Sequence, residues 1–129
     1  MQVQKIARIM AVYNTVVAGG FGLFLLLLTF APELQAVVFW NSTDAAAVAL
    51  LTPLFMVLAG YTWVYRSSPV RLRPVFVIQL IYKPGAIILL VVFAALGEIA
   101  WFWSILISLA LVVYILGHAT VLRKMEGPE

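Results

Sequence analysis

Hydrophobic positions in this chain fall into four long runs, roughly Ile9–Phe30, Ala45–Tyr65, Val75–Gly97 and Ile99–Leu122, and the charges lie almost wholly between them. Each run meets the ~20 residues that a helix needs to cross a hydrocarbon core about 30 Å thick. Lipid cannot satisfy free N–H and C=O groups, so only helices or a closed barrel span it. The runs are continuous, whereas barrel strands alternate with period two over ~10 residues. The pattern therefore predicts an all-α fold, an integral membrane four-helix bundle forming a single transmembrane domain over residues 1–129.

The links between the runs predict the orientation. Lys5 and Arg8 precede the first helix, Arg66, Arg71 and Arg73 lie between the second and third, and Arg123 and Lys124 follow the fourth. The other two links carry only Glu33, Asp44 and Glu98. Excess Lys and Arg marks the cytoplasmic side, so both termini are expected there, N-in and C-in. The link Ala31–Thr43 is the longest, and Leu34, Val37, Val38, Phe39 and Trp40 suit a short segment lying flat at the outer interface. Asn41 to Asp44 then reads as a turn and N-cap for the second helix.

Composition narrows the function classes. At 65% hydrophobic and 10% charged residues, with a mean hydropathy of +1.12, a soluble globular fold is excluded. The formal charge of +3 reflects topology and an attraction to anionic lipid. Its basic residues are scattered over short membrane-flanking segments, so no nucleic-acid partner is expected. Zero cysteines exclude disulfides, thiol redox chemistry and Cys metal sites. His118 is the only histidine, so no metal site and no cofactor is expected, although one His can ligate a pigment or haem axially. No Asp or Glu lies in the four runs, which removes a nucleophile–base–carboxylate triad and gives no catalytic residues.

Small residues mark packing faces: Ala11, Asn14, Thr15, Ala18, Gly19 and Gly22 on the first helix, and Ala45, Ala49, Thr52, Met56 and Gly60 on the second. The third helix carries Gln79-Leu80-Ile81-Tyr82-Lys83-Pro84-Gly85. At 1.5 Å per residue, Lys83 lies ~15 Å in from Arg73, close to the midplane. Asn14 and Tyr114 come out at the same depth, with Gln79 and His118 about one turn nearer the cytoplasm. Ser104, Ser108, Tyr114 and His118 share one broad face of the fourth helix. Five polar side chains (Lys83, Gln79, Asn14, Tyr114 and His118) thus form the candidate ligand-binding set.

Three readings of that set follow. Lys83 can snorkel toward the inner phosphates while the others glue helices together. It can meet an acidic or carbonyl-bearing head group in a pocket. It can carry protons with His118 along a conduction path.

The layout, the Arg-bearing link and the stretch Gln79-x-x-Tyr82-Lys83 resemble bacterial four-helix membrane proteins of the DoxX-like kind. The resemblance implies the fold, a bacterial inner-membrane location and a role for Lys83, and it transfers no activity. This chain departs from it at Pro84-Gly85, where bulkier residues are expected. The expected function is a non-enzymatic accessory or hydrophobic-ligand-holding membrane subunit, with a small oligomeric transporter or proton-conducting protein as the alternative. The expected partners are the bilayer, a lipid or other hydrophobic ligand, and further copies or a larger membrane complex.

Overall fold

Four long apolar helices and one short one account for nearly all of the computed structural model, which describes residues 2–38, 40 and 45–126. They are α1 (Gln2–Phe30), α2 (Glu33–Val37), α3 (Ala45–Val64), α4 (Pro69–Ala95) and α5 (Trp101–Glu126). α1, α3, α4 and α5 are each long and apolar enough to cross a membrane. Their outward faces carry Leu50, Leu54, Val57, Ile78, Ile81, Ile88, Leu109 and Leu116, all more than half exposed. Such a belt suits lipid rather than water.

α1 is the spine of the bundle. α3 packs along one side of it and the α4–α5 hairpin along another; α3 meets that hairpin where Tyr61 Oη donates to the Arg71 carbonyl (2.7 Å). The hairpin turns at Gly97, whose φ of 79° is open to glycine at little cost. Glu98 N–H donates to the Phe93 carbonyl (2.9 Å) and Gly97 N–H to the Ala94 carbonyl (3.1 Å). This pair of bonds is a Schellman motif, which satisfies carbonyls that the end of α4 would leave bare.

Two helices begin earlier than the hydrophobic runs imply. α1 starts at Gln2 rather than Ile9, and α4 starts at Pro69 rather than Val75. Proline suits the first turn of a helix, where its missing N–H has no partner to lose. Arg71 and Arg73 therefore stand on α4 itself, and Pro74 is carried inside it at the cost of one carbonyl partner. Pro53 and Pro84 are likewise internal to α3 and α4.

The link after α1 also differs from expectation. Val37 is exposed, but Trp40 turns inward and is 7% exposed. Its ring meets Phe24 (5.6 Å), Trp103 (6.1 Å) and Phe21 (6.2 Å) edge-on, while Trp103 Nε1–H donates to the Val38 carbonyl. The segment caps one end of the bundle with aromatic side chains instead of lying wholly flat. Phe39 and the expected turn and N-cap at Asn41–Asp44 lie outside the described residues.

The α1–α3 seam uses the predicted small face of α1. Gly22 is so close to α3 that an added Cβ would lie 2.9 Å from Met56 Cε, and one on Gly19 would touch Ala59 at 3.6 Å. On α3 the face is rotated from the expected one. Val48, Thr52, Ala59 and Thr62 are buried, whereas Ala49 and Gly60 face outward. Small size alone did not mark the seam, because a small residue also fits a lipid-facing position.

Candidate functional site

Asn14, Gln79, Lys83, Tyr114 and His118 are all buried, with no more than 5% of any of them exposed. Four of the five come together between α4 and α5. The Lys83 Nζ lies 3.2 Å from the centroid of the Tyr114 ring, a cation–π contact. Tyr114 in turn lies 5.2 Å from the His118 ring, and His118 stacks on Phe76 at 4.3 Å with an interplanar angle of 17°. Gln79 follows Phe76 by one turn and precedes Lys83 by another, so it sits between these two contacts on the same face of α4.

The lysine turns inward. At 5% exposure, with its ammonium over an aromatic ring, its side chain points into the bundle. Tyr82, the neighbouring residue, takes the outward position at 52% exposure.

α1 closes the site from the other side. Tyr114 Oη donates to the Tyr13 carbonyl (3.1 Å), the two rings lie 4.6 Å apart, and Tyr13 Oη donates to the Ala110 carbonyl (3.3 Å). These contacts fix the Tyr114 ring that carries the lysine. Packing is tight a turn away, where a Cβ on Gly117 would run into the Met10 side chain.

Asn14 follows Tyr13 at the level of Tyr114 but belongs to the other seam. Adjacent helical residues point about 100° apart, so Tyr13 faces α5 while Asn14 faces α3. Its Nδ2 donates to Thr62 Oγ1 (3.3 Å), and Thr62 Oγ1 also shares a hydrogen bond with Thr15 Oγ1 (2.9 Å). Thr15 reaches the Ala59 carbonyl as well (3.2 Å). Counting residues places side chains at one level along the bundle, but rotation about the axis depends on which neighbour each face meets.

The two seams treat polar atoms differently. Gln79 Nε2 and Oε1, His118 Nδ1 and Nε2, and the hydroxyls of Ser104 and Ser108 are buried with no hydrogen-bond partner among the described residues. Thr15, Thr29, Thr62 and Thr120 instead bond back to the carbonyl four residues earlier. Asn14 Oδ1 and Thr52 Oγ1 are the unpartnered atoms on the α3 side. Phe76 and Tyr13 are the supporting residues that sequence reading missed. Phe76 lies seven residues before Lys83, on its face of α4, and that spacing was the available signal.

No carboxylate reaches Lys83 among the described residues, nor does any group of three His, Cys, Asp or Glu side chains converge there or elsewhere. The cluster can therefore offer one cation, one amide with donor and acceptor ends, and one imidazole. In comparisons with known proteins, no family, curated protein or solved structure matches this chain.

Proposed function

We propose that this chain is a small multi-pass membrane protein that holds the acidic or carbonyl-bearing head of an amphiphilic ligand at Lys83, with Gln79 and His118 completing the polar contacts. The observation that carries the reading is a buried lysine whose one close partner is an aromatic ring. A lysine at the centre of a spanning helix costs about 2.5–3.5 kcal/mol. A desolvated cation–π contact returns roughly 2 kcal/mol. Unpartnered groups such as those of Gln79 and His118 cost about 1–3 kcal/mol each. The ring alone leaves this ledger in deficit, and an anion or carbonyl between the three side chains offsets it. The protein acts as a holding or accessory subunit, with both termini in the cytoplasm and its neighbours in the bilayer supplying the ligand.

Lys83→Met tests it. Native mass spectrometry of the detergent-extracted wild type should show a bound amphiphile, and the variant should lose it and melt at a lower temperature. Removing one member of a buried polar group strands the others. Unchanged bound species together with equal or higher stability would sink the proposal.

A proton path is the second reading, favoured by Ser104 and Ser108. Both hydroxyls are buried without a partner on the α5 face that continues to Tyr114 and His118. Thr15, Thr29, Thr62 and Thr120 use the i−4 carbonyl, and these two serines do not. Water is the usual partner of such groups.

A further inference from the structure

At the end of the bundle where α1 begins, Gln4, Lys5, Arg8 and Ser67 line a recess of about 280 Å³. Two separate parts of the chain build it: the first turns of α1, and the turn that joins α3 to α4. Positions 4, 5 and 8 share one side of a helix, which brings both cations to the same opening.

Arg66, Arg71, Arg123 and Lys124 at this end have evident local roles. The Arg66 guanidinium lies 4.1 Å from the Trp63 ring centroid and donates to the Trp63 carbonyl at 2.7 Å. Arg71 lies 5.3 Å from the Tyr65 ring centroid. Arg123 and Lys124 occupy the last turn of α5, where the helix dipole favours cations. Lys5 and Arg8 have neither an acidic nor an aromatic partner among the described residues, and the first turn of α1 contains no acid to offset them. Their position near a helix start is electrostatically unfavourable. Charge placement for topology needs cations at this end, but it does not need two of them unpaired over one opening with amide and hydroxyl donors beside them.

We propose that this recess binds a phosphate group, with Lys5 and Arg8 neutralising its charge and Gln4 and Ser67 donating to its oxygens. Arginine gives the planar fork that suits phosphate, and lysine acts as a point charge. At the membrane surface the phosphate comes from an anionic lipid head group or from a free phosphate in solution. The site is independent of Lys83, which lies several turns away along the bundle.

The full chain in detergent would be titrated separately with phosphatidylglycerol, phosphatidylcholine and inorganic phosphate, with binding read by native mass spectrometry. Wild type should prefer phosphatidylglycerol to phosphatidylcholine, and Lys5→Gln/Arg8→Gln should weaken that binding by about 30-fold. Arg123→Gln/Lys124→Gln, which removes equal charge outside the recess, should leave it unchanged. Inorganic phosphate binding with the same dependence on Lys5 and Arg8 would assign the site to the phosphate itself, and lipid binding alone would assign it to the head group. Both lining cations are exposed, so a melting temperature matching wild type will confirm that the variant folds. Equal lipid binding by wild type and the recess variant, or an equal loss in the control, would overturn the proposal.

Discussion

Thr62 is the point where the α1–α3 seam is most open to a quantitative test. It is fully buried and accepts from Asn14 Nδ2 at 3.3 Å while sharing a 2.9 Å hydrogen bond with Thr15. Its own proton has the Leu58 and Ala59 carbonyls available at 3.0 and 3.1 Å. Thr62→Val keeps the shape and removes both interhelical bonds. Interhelical bonds in membrane proteins average about 0.6 kcal/mol, so the pair contributes roughly 1 kcal/mol. The Asn14 amide would then be left with no partner, since its Oδ1 already has none, which adds about 1–3 kcal/mol. A loss of roughly 2–4 kcal/mol is expected, measured by reversible unfolding in mixed micelles of mild detergent and dodecyl sulfate. A cycle with Thr15→Val separates the shared bond from the amide, and the two substitutions should be less than additive. Wild-type stability in Thr62→Val would refute the view that this seam is held by its hydroxyls.

Gly117→Ala should destabilise by about 1–3 kcal/mol through overpacking against Met10, with partial recovery in Met10→Ala/Gly117→Ala; thermal unfolding of the three proteins checks it. Because the chain has no cysteine, single cysteines can be introduced without background. On the proton-path reading, Ser108→Cys should react with silver ion in sealed vesicles and Leu109→Cys, facing lipid, should not; equal rates would remove the hydrated face. The same labelling with Lys124→Cys, using an impermeant maleimide on intact cells, should give no signal until the cells are opened.

Helix number, level along the bundle and the α1 packing face were readable because each depends on one helix at a time. A run of apolar residues sets length, 1.5 Å per residue sets the level, and Gly19 and Gly22 mark close approach wherever the partner comes from. What could not be read is the pairing between helices. Asn14 and Lys83 share a level, yet they sit on different seams because α3 and the α4–α5 hairpin occupy different sides of α1. The inward turn of Lys83 was hidden for the same reason. A lone lysine in a helix either snorkels or buries, and the choice depends on whether a ring such as that of Tyr114 is waiting for it. The start of α4 moved because charged and proline positions interrupt a hydrophobic run without ending a helix. Pro74 lies close enough to the start of α4 that the helix absorbs it, and Pro69 rather than Pro74 opens the helix.

The contrast between the two seams bears on what the polar residues are for. Polar side chains that serve only to join helices are expected to find partners, since pairing is the sole source of their stabilisation. The α3 side of α1 largely meets that expectation: Thr15, Thr62 and Asn14 Nδ2 are bonded across the seam, with two single atoms left over. Between α4 and α5 the situation is reversed. Gln79 and His118 have no partner at either end of their polar groups, and Lys83 meets a ring instead of an acid. Three such residues on facing positions would be a poor adhesive, because apolar side chains of similar size would pack there without the desolvation cost. Their unmet bonding capacity is the feature on which the proposed ligand site rests. α1 accordingly makes two different contacts, hydrogen-bonded to α3 on one face and holding the Tyr114 ring through Tyr13 on another.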